Sequence, residues 1–535
     1  MTKKSFIKGA AILGVAGIII KILGALYRIP LANLLTDEGM GYYQSSYPIY
    51  VMLFALSTAG IPTALAKLVA EKRAKKDYKG EGRVFHIAFI CMVILGIVSS
   101  FVMFFGAKYF VKLINNPNAY WAMVALTPAC FFVPVMSAFR GYFQGRQEMT
   151  PLAISQIFEQ LFRITLGLIT VYFLLDYGNS VAAGGAAFGS SYGGIFGFLI
   201  IYILYLRKRK VIIAERELQI EYVKEPLNRV LKDIFFIAFP ITMGAMITPI
   251  MSFIDTTLIM NQLTKLGYTV LEADRLYGRL SGMAQTFINL PQVISLALAI
   301  SLVPAISEKH ILKQHKQTKR LVDMGLRVTA IVGLPCAFGL FVLSEQIVKL
   351  LYFANPVYVQ ESVGSILAVL SFAVIFLTLM QSLNAILQGI GKQIVPVYNL
   401  VAAAIVKAIL TYFLVQIPQI NIYGAAISTI IAYAIVCVLD ILALKKYMNY
   451  TFDLKQVLVR PMIATLGMTA TAYIAFNVLN FIISEKIATL LAIGVAAVVY
   501  IILLFLCKAI QKEDLKEIGK GKKLIALFER IGLIK

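Results

Sequence analysis

Long apolar runs broken by short polar stretches follow one another along all 535 residues of the chain. Each run has about the 20 residues that an α-helix needs to cross the hydrocarbon core of a bilayer. The pattern predicts helices near 6–32, 43–70, 84–112, 119–142, 151–176, 181–206, 231–260, 277–306, 323–350, 362–390, 394–417, 422–446, 458–481 and 485–509. The fold class expected is therefore an all-α integral membrane protein of about fourteen transmembrane helices. The first run extends to about residue 32 and contains Lys21 and Arg28, so it reads as a retained helix and not as a cleaved signal peptide.

The polar stretches differ in charge. Lysines and arginines crowd 72–83, 140–146, 207–210, 309–320 and 445–460, and again the tail after 508. The alternate connections, 36–41, 176–180 and 418–421, are nearly free of them. The positive-inside rule then puts both termini on the cytoplasmic side. Composition agrees with lipid as the solvent: 59% of residues are hydrophobic, 14% are charged, and the mean hydropathy is +0.81. The net charge of +23 sits in alternate loops and forms no contiguous basic domain, which argues against nucleic-acid binding.

The chain also repeats itself. GIPTALAKLVAEK at 60–72 resembles LVPAISEK at 302–309, YFQGRQEMTP at 142–151 resembles ILQGIGKQIVP at 386–396, and GAAFGS at 185–190 resembles GAAIST at 424–429. All three pairs are offset by about 240 residues and keep their order, as expected of two parallel six-helix repeats. The organisation expected is an N-lobe at 1–210 (helices 1–6), a cytoplasmic linker at 211–230, a C-lobe at 231–447 (helices 7–12), two extra helices within 448–510, and a basic amphipathic cytoplasmic tail at 511–535. Two such lobes around a central cavity make a transporter that works by rocking.

Ionisable residues within apolar spans are costly, so each is a functional candidate. Lys21 and Arg28 lie two turns apart on helix 1 and share roughly one face, as cavity lining or as cations snorkelling to the interface. Glu159 and Arg163 on helix 5 stand at i and i+4, as an internal ion pair or as cavity lining. Lys407 holds the place in the second repeat that Arg163 holds in the first, each shortly after a proline, Pro396 or Pro151. Asp255 lies on a helix that Pro240 and Pro249 are expected to interrupt; it could bind a coupling cation, pair with a cavity arginine, or serve as a hydrogen-bonded structural carboxylate. Arg279 opens helix 8 as a cavity ligand or an interfacial anchor. A wall of Lys21, Arg28, Arg163, Arg279 and Lys407 suits a phosphate-bearing substrate, with Glu159 and Asp255 left for coupling or gating.

Other chemistries find no support. The chain has no GxxxxGK[ST], HExxH or GxSxG. Its three histidines and five scattered cysteines suggest neither a metal centre nor a disulfide framework. No cofactor is expected, and a coupling cation or the membrane potential is the energy source. Glu215, Glu217, Glu221 and Glu225, the acids of the longest cytoplasmic loop, read as helix-surface charges and not as the site of a membrane transferase.

KILGALYRIPLANLL (21–35), STAGIPTALAKLVAEK (57–72), FRGYFQGRQEMTP (139–151) and LVPAISEK (302–309) resemble the polysaccharide-transporter branch of the multidrug/oligosaccharidyl-lipid/polysaccharide (MOP) exporter superfamily. Within it the chain looks most like the SpoVB/YtgP group, which includes MurJ-type lipid II flippases. The resemblance implies two lobes around a cationic cavity in a bacterial cytoplasmic membrane. It implies a lipid-linked oligosaccharide on undecaprenyl pyrophosphate as cargo, lipid II for peptidoglycan foremost, with cell-wall synthesis proteins as candidate partners. Arg28 then corresponds to a cavity arginine, with Lys21 near a second. The chain departs from the pattern at 46–50, which is uncharged where helix 2 would carry an arginine, and at Thr286, where helix 8 would carry another. A cation-coupled multidrug exporter of the same superfamily is the alternative, as are flippases for teichoic-acid, exopolysaccharide or spore-cortex precursors.

Overall fold

A computed structural model describes residues 3–219, 222–450 and 452–509. The expected tail at 511–535 and Glu221 lie outside the described residues. Everything described is helix, turn or short connection.

The first helix, α1 (Lys3–Thr58), is 56 residues long, about 84 Å at the standard rise and more than twice the thickness of a membrane. It doubles back. At Thr36 the backbone takes φ 58° and ψ −170°. Before that point the chain climbs its neighbour α6 (Met149–Leu174): a Cβ on Gly24 would meet Gln160, and one on Gly167 would meet the Tyr27 hydroxyl. After it the chain descends, with Tyr47 beside Arg163. The two arms are the expected spans 6–32 and 43–70, the second continued by α2 (Gly60–Ala74).

Twelve stretches are long and apolar enough to cross a membrane among the described residues, and a bent pair, Val357–Leu370 with Ala373–Gly389 at 45°, makes a thirteenth. The first stretch, Leu13–Ala74, contains both arms of α1, so counting them apart gives the fourteen crossings expected.

The chain forms two compact units, 1–278 and 279–535. The first continues with α3 (Tyr78–Leu113), α4 (Tyr120–Ala125), α5 (Thr127–Gly145), α6, α7 (Asn179–Glu217), α8 (Leu227–Lys265) and α9 (Val270–Tyr277). Packing and repeat divide the chain at different places: α8, which opens the second repeat, lies here against α1 and α2. It runs unbroken through Pro240 and Pro249, where an interruption was expected. Membrane helices tolerate proline because neighbouring groups and local adjustments satisfy the freed backbone carbonyls.

The second unit holds α10 (Gln285–Ile311), α11 (His315–Val342), α12 (Ser344–Leu351), α13 (Val357–Leu370), α14 (Ala373–Gly389), α15 (Val395–Leu414), α16 (Ile422–Met448), α17 (Arg460–Asn480) and α18 (Glu485–Leu506). Leu302, Ile306, Leu326, Leu383 and Ile386 fill a core between α10, α11 and α14. The extra pair α17–α18 packs on α11, where the Tyr500 hydroxyl donates to the Ile331 carbonyl at 2.7 Å.

The repeated motifs are packing devices. In the first unit, Gly145 of YFQG lets α5 lie on α2, where a Cβ would stand 2.6 Å from the Ala66 carbonyl oxygen. In the second, Gly389 of LQG faces Ile306 of α10 in the same manner. Close helix approach at small residues is how membrane helices gain contact without a hydrophobic drive between them.

Candidate functional site

The candidate site in the first unit lies along the two arms of α1 and their neighbour α6. A ladder of rings runs down the second arm: Tyr43 and Tyr47 are 5.4 Å apart, Tyr47 and Tyr50 5.5 Å. Successive rungs are three or four residues apart because that spacing returns to one helix face. Arg163 of α6 places its guanidinium over the Tyr47 ring, 5.4 Å from the centroid. Arg28 of the first arm is half-buried, and it and Arg163 both lie within electrostatic reach of the Tyr27 hydroxyl. Among the described residues, neither arginine has a carboxylate within 4 Å. Two partly buried, unneutralised guanidiniums among tyrosines form a wall that attracts an anion, and each can grip phosphate oxygens in pairs.

Glu159 does not join Arg163 in the expected i, i+4 pair. It takes a 2.8 Å bond from Arg140 of α5, whose Nε also donates to Ser155 at 3.0 Å. The neighbouring helix supplies the guanidinium at better geometry, which leaves Arg163 to Tyr47. Lys21 is exposed on α1. Asp255 is half-buried on α8, next to Thr256, whose hydroxyl bonds that of Tyr277 at 2.7 Å.

In the second unit, Arg279 lies over the Tyr358 ring at 5.5 Å and donates to Ser362 at 3.1 Å. It stands in a π-helical turn, Gly278–Ala284, a distortion frequent at functional sites. Lys407 is half-buried on α15.

Both ends of the first unit carry polar structure that the sequence reading missed. Where α1 turns at Thr36, Glu38 accepts from Arg275 of α9 at 2.9 Å and from Tyr42 at 3.1 Å. Asn116 donates to the fully buried Asp274, whose second oxygen has no hydrogen-bond partner among the described residues. The backbones touch here: a Cβ on Gly278 would fall 2.0 Å from the Asp37 carbonyl oxygen, and one on Gly41 2.3 Å from that of Asp274. The start of α9 is fixed by a capping box between Thr269 and Glu272.

At the opposite end, Arg146 is 3% exposed and Glu81 2%, and they pair at 2.6 Å. Glu215 takes two bonds from Arg73, at 2.8 and 3.0 Å, and one from Arg146 at 2.9 Å. Glu148 adds a bond from Arg146 at 3.1 Å and a pair with Lys208, and Lys72 holds Glu225 at 2.6 Å. Glu215 and Glu225 are thus members of an ion network and not the surface charges expected, while Glu217 is exposed as expected. The arginines of FRGYFQGRQ, read as loop cations, belong to the end of α5, one inside the helix and one as its C-cap.

A family model described as Polysaccharide biosynthesis protein matches residues 6–310, and one described as MatE matches 280–413. Stage V sporulation protein B of Bacillus subtilis (strain 168) is 28% identical over 98% of this chain and 100% of its own. Lipid II flippase MurJ of the same organism is 24% identical over 89% of each chain. A solved structure of lipid II flippase MurJ in an inward closed conformation superposes with a TM-score of 0.69 at 15% identity, over 91% of this chain and 97% of that one. The chain is a multi-pass membrane protein that belongs to the polysaccharide biosynthesis protein family, and its fold is that of the solved lipid II flippase MurJ structure.

Proposed function

We propose that this protein is a flippase, not an enzyme, that carries undecaprenyl-pyrophosphate-linked sugar precursors from the inner to the outer leaflet of a bacterial cytoplasmic membrane by alternating access. Lipid II for peptidoglycan is the foremost cargo. The observation that carries this reading is the pair Arg28 and Arg163, held half-buried in a membrane-spanning wall without acidic partners. Such charges are costly in a membrane unless something anionic comes to them. A diphosphate supplies that charge, and the tyrosines beside it offer hydroxyls and ring faces to a sugar. Lys21, Arg279 and Lys407 are proposed as further contacts along the path. Asp255 is proposed as the coupling or gating carboxylate, and both termini are placed in the cytoplasm. The likeness to lipid II flippase MurJ supports a lipid-linked cargo.

The test is expression in cells depleted of their own lipid II flippase, scored by growth and by the appearance of lipid II headgroups on the outer leaflet. The wild-type chain restores both. Arg28→Ala and Arg163→Ala each lose a charge-assisted contact of about 1.5–3 kcal/mol and reduce flipping by roughly 10- to 100-fold, with little change in the amount of folded protein. If the wild type fails, lipid II is not the cargo. Rescue of a strain lacking stage V sporulation protein B would then point to a spore-cortex precursor. Drug resistance without either rescue would point to the exporter reading, which the MatE match at 280–413 favours.

A further inference from the structure

Away from the α1–α6 wall, the first unit carries a second amphiphilic surface at its Thr36 end. Phe104, Lys108 and Lys112 stand at successive i+4 positions of α3, on one stripe and about 6 Å apart along the axis. Both lysines are exposed, and among the described residues neither has a carboxylate within 4 Å. They line a hollow of about 520 Å³ together with Asn115, Asn118, Ser180 and Trp121. Beneath it lies an apolar groove of about 460 Å³ between α3, α4, α6 and α7, lined by Phe104, Trp121, Pro128, Thr170, Leu174 and Phe188. Trp121 belongs to both and is half-exposed between them.

The order along this surface is cationic head, indole, apolar groove. Tryptophan favours the level of the lipid headgroups because its ring is amphipathic, and Trp121 is the chain's one tryptophan. The lysines sit at the end of the bundle that the charge bias of the loops assigns to the outside, where cations are otherwise scarce. A free anion would use the lysines and leave the groove empty. A zwitterionic lipid would fill the groove and gain little from the lysines.

We propose that this surface binds one anionic phospholipid of the adjoining leaflet, its phosphate between Lys108 and Lys112 and an acyl chain in the groove below Trp121. The lipid is distinct from the transported cargo, since none of the groove or hollow residues belongs to the Arg28–Arg163 wall. It ties α3 to the α6–α7 hairpin on the lipid-facing side of the unit.

Because Trp121 is the sole indole, its emission reports this site alone. The full chain is reconstituted in vesicles of phosphatidylcholine containing increasing brominated phosphatidylglycerol or brominated phosphatidylcholine, and quenching is read. The phosphatidylglycerol should half-quench Trp121 at roughly tenfold lower mole fraction, since the two lysines attract its anionic headgroup and gain little from the zwitterionic one. Lys108→Gln with Lys112→Gln should equalise the two lipids, and Val181→Phe, which fills the groove, should weaken quenching by both. The emission maximum in plain phosphatidylcholine checks that each variant is folded. Equal quenching by both lipids in the wild type overturns the proposal, because the surface is then ordinary lipid annulus. A preference that survives the lysine substitutions, or one that Val181→Phe leaves untouched, overturns it as well.

Discussion

Where α5 ends, Arg146 is enclosed by Glu81, Glu148 and Glu215. Where α1 turns at Thr36, Glu38 takes bonds from Arg275, Tyr42 and Asn179, and Asp274 takes one from Asn116, with a single guanidinium between the two carboxylates. The first arrangement joins α2, α3 and α5 of the first repeat to the far end of α7, where Glu215 stands at the start of the linker. The second joins the α1 turn and the end of α3 to α9, across the linker that separates the repeats. Rocking of one repeat against the other, the motion proposed for transport, would leave the first arrangement intact and break the second. A dense, buried network suits a part that stays rigid; a thin latch suits a seam that opens, because domain closure needs alternatives within a few kcal/mol of each other.

The largest effect should come from the rigid end. Arg146→Ala leaves Glu81 and Glu215 only the Arg73 guanidinium that they also share, in a nearly dry site, a loss of up to about 3–5 kcal/mol for a broken buried pair. Thermal unfolding in detergent, or the yield of monodisperse protein, should fall accordingly. Arg146→Leu combined with Glu81→Leu should recover part of the loss, because no orphaned charge is then left between them. If Arg146→Ala proved as stable as the wild type, the network would not be the stiffening element and the contrast between the ends would disappear.

A smaller effect, of a different kind, is expected at the latch. Asn116→Ala removes the amide that donates to Asp274 and leaves a fully buried carboxyl short of its partner, at about 1–3 kcal/mol. The cost falls on the closed state, so opening should rise by roughly tenfold with little loss of global stability. A cysteine at the fully buried Ser46, beneath the turn, reads this as faster labelling by a membrane-impermeant maleimide. Glu38→Gln should act in the same direction and less, about 0.2–1 kcal/mol, because the Glu38–Arg275 pair is partly solvated. Equal labelling in all three proteins would mean that this seam does not gate access.

The transmembrane pattern was legible in the sequence because hydrocarbon imposes helix length and loop charge directly. The repeat was legible because Gly145 and Gly389 are demanded by close helix contact and therefore recur in short motifs. The partners of ionisable residues were not. Glu159 had Arg163 one turn away on its own helix, yet the guanidinium that reaches it comes from Arg140. Glu215 looked like a surface charge because its partners, Arg73 and Arg146, lie far away in sequence. The i, i+4 rule sees only one helix, and polar networks in a helix bundle are made between helices. Arg28 stood out as an unusual charge in an apolar run, but that no acid lies beside it among the described residues is a property of three helices at once.

The smallest effect isolates how the network is fastened to the linker. Asp77 caps α3 by accepting from the Gly80 amide at 2.8 Å and also takes a bond from Gln219 at 3.1 Å, with Lys72 at 3.3 Å. Burial would push this carboxyl up, but the Gln219 and Gly80 bonds and the Lys72 ammonium together hold it below its ordinary 3.8. A carboxyl depressed in the folded state lends stability that is fully present above its unfolded value and is lost as pH falls through the folded one. The Asp77 contribution should therefore be flat from neutral pH down to about 4 and vanish only in stronger acid. Asp77→Asn keeps a capping oxygen and loses the charge, so it should cost at most about 1 kcal/mol at pH 7, Lys72 keeping Glu225 as a second, closer partner. Melting temperatures of the two proteins should converge only as the pH falls below the ordinary carboxylate range. Were they to diverge on acidification instead, the Asp77 carboxyl would be protonated in the fold, and the fastening of Gln219 to α3 would rest on the neutral acid.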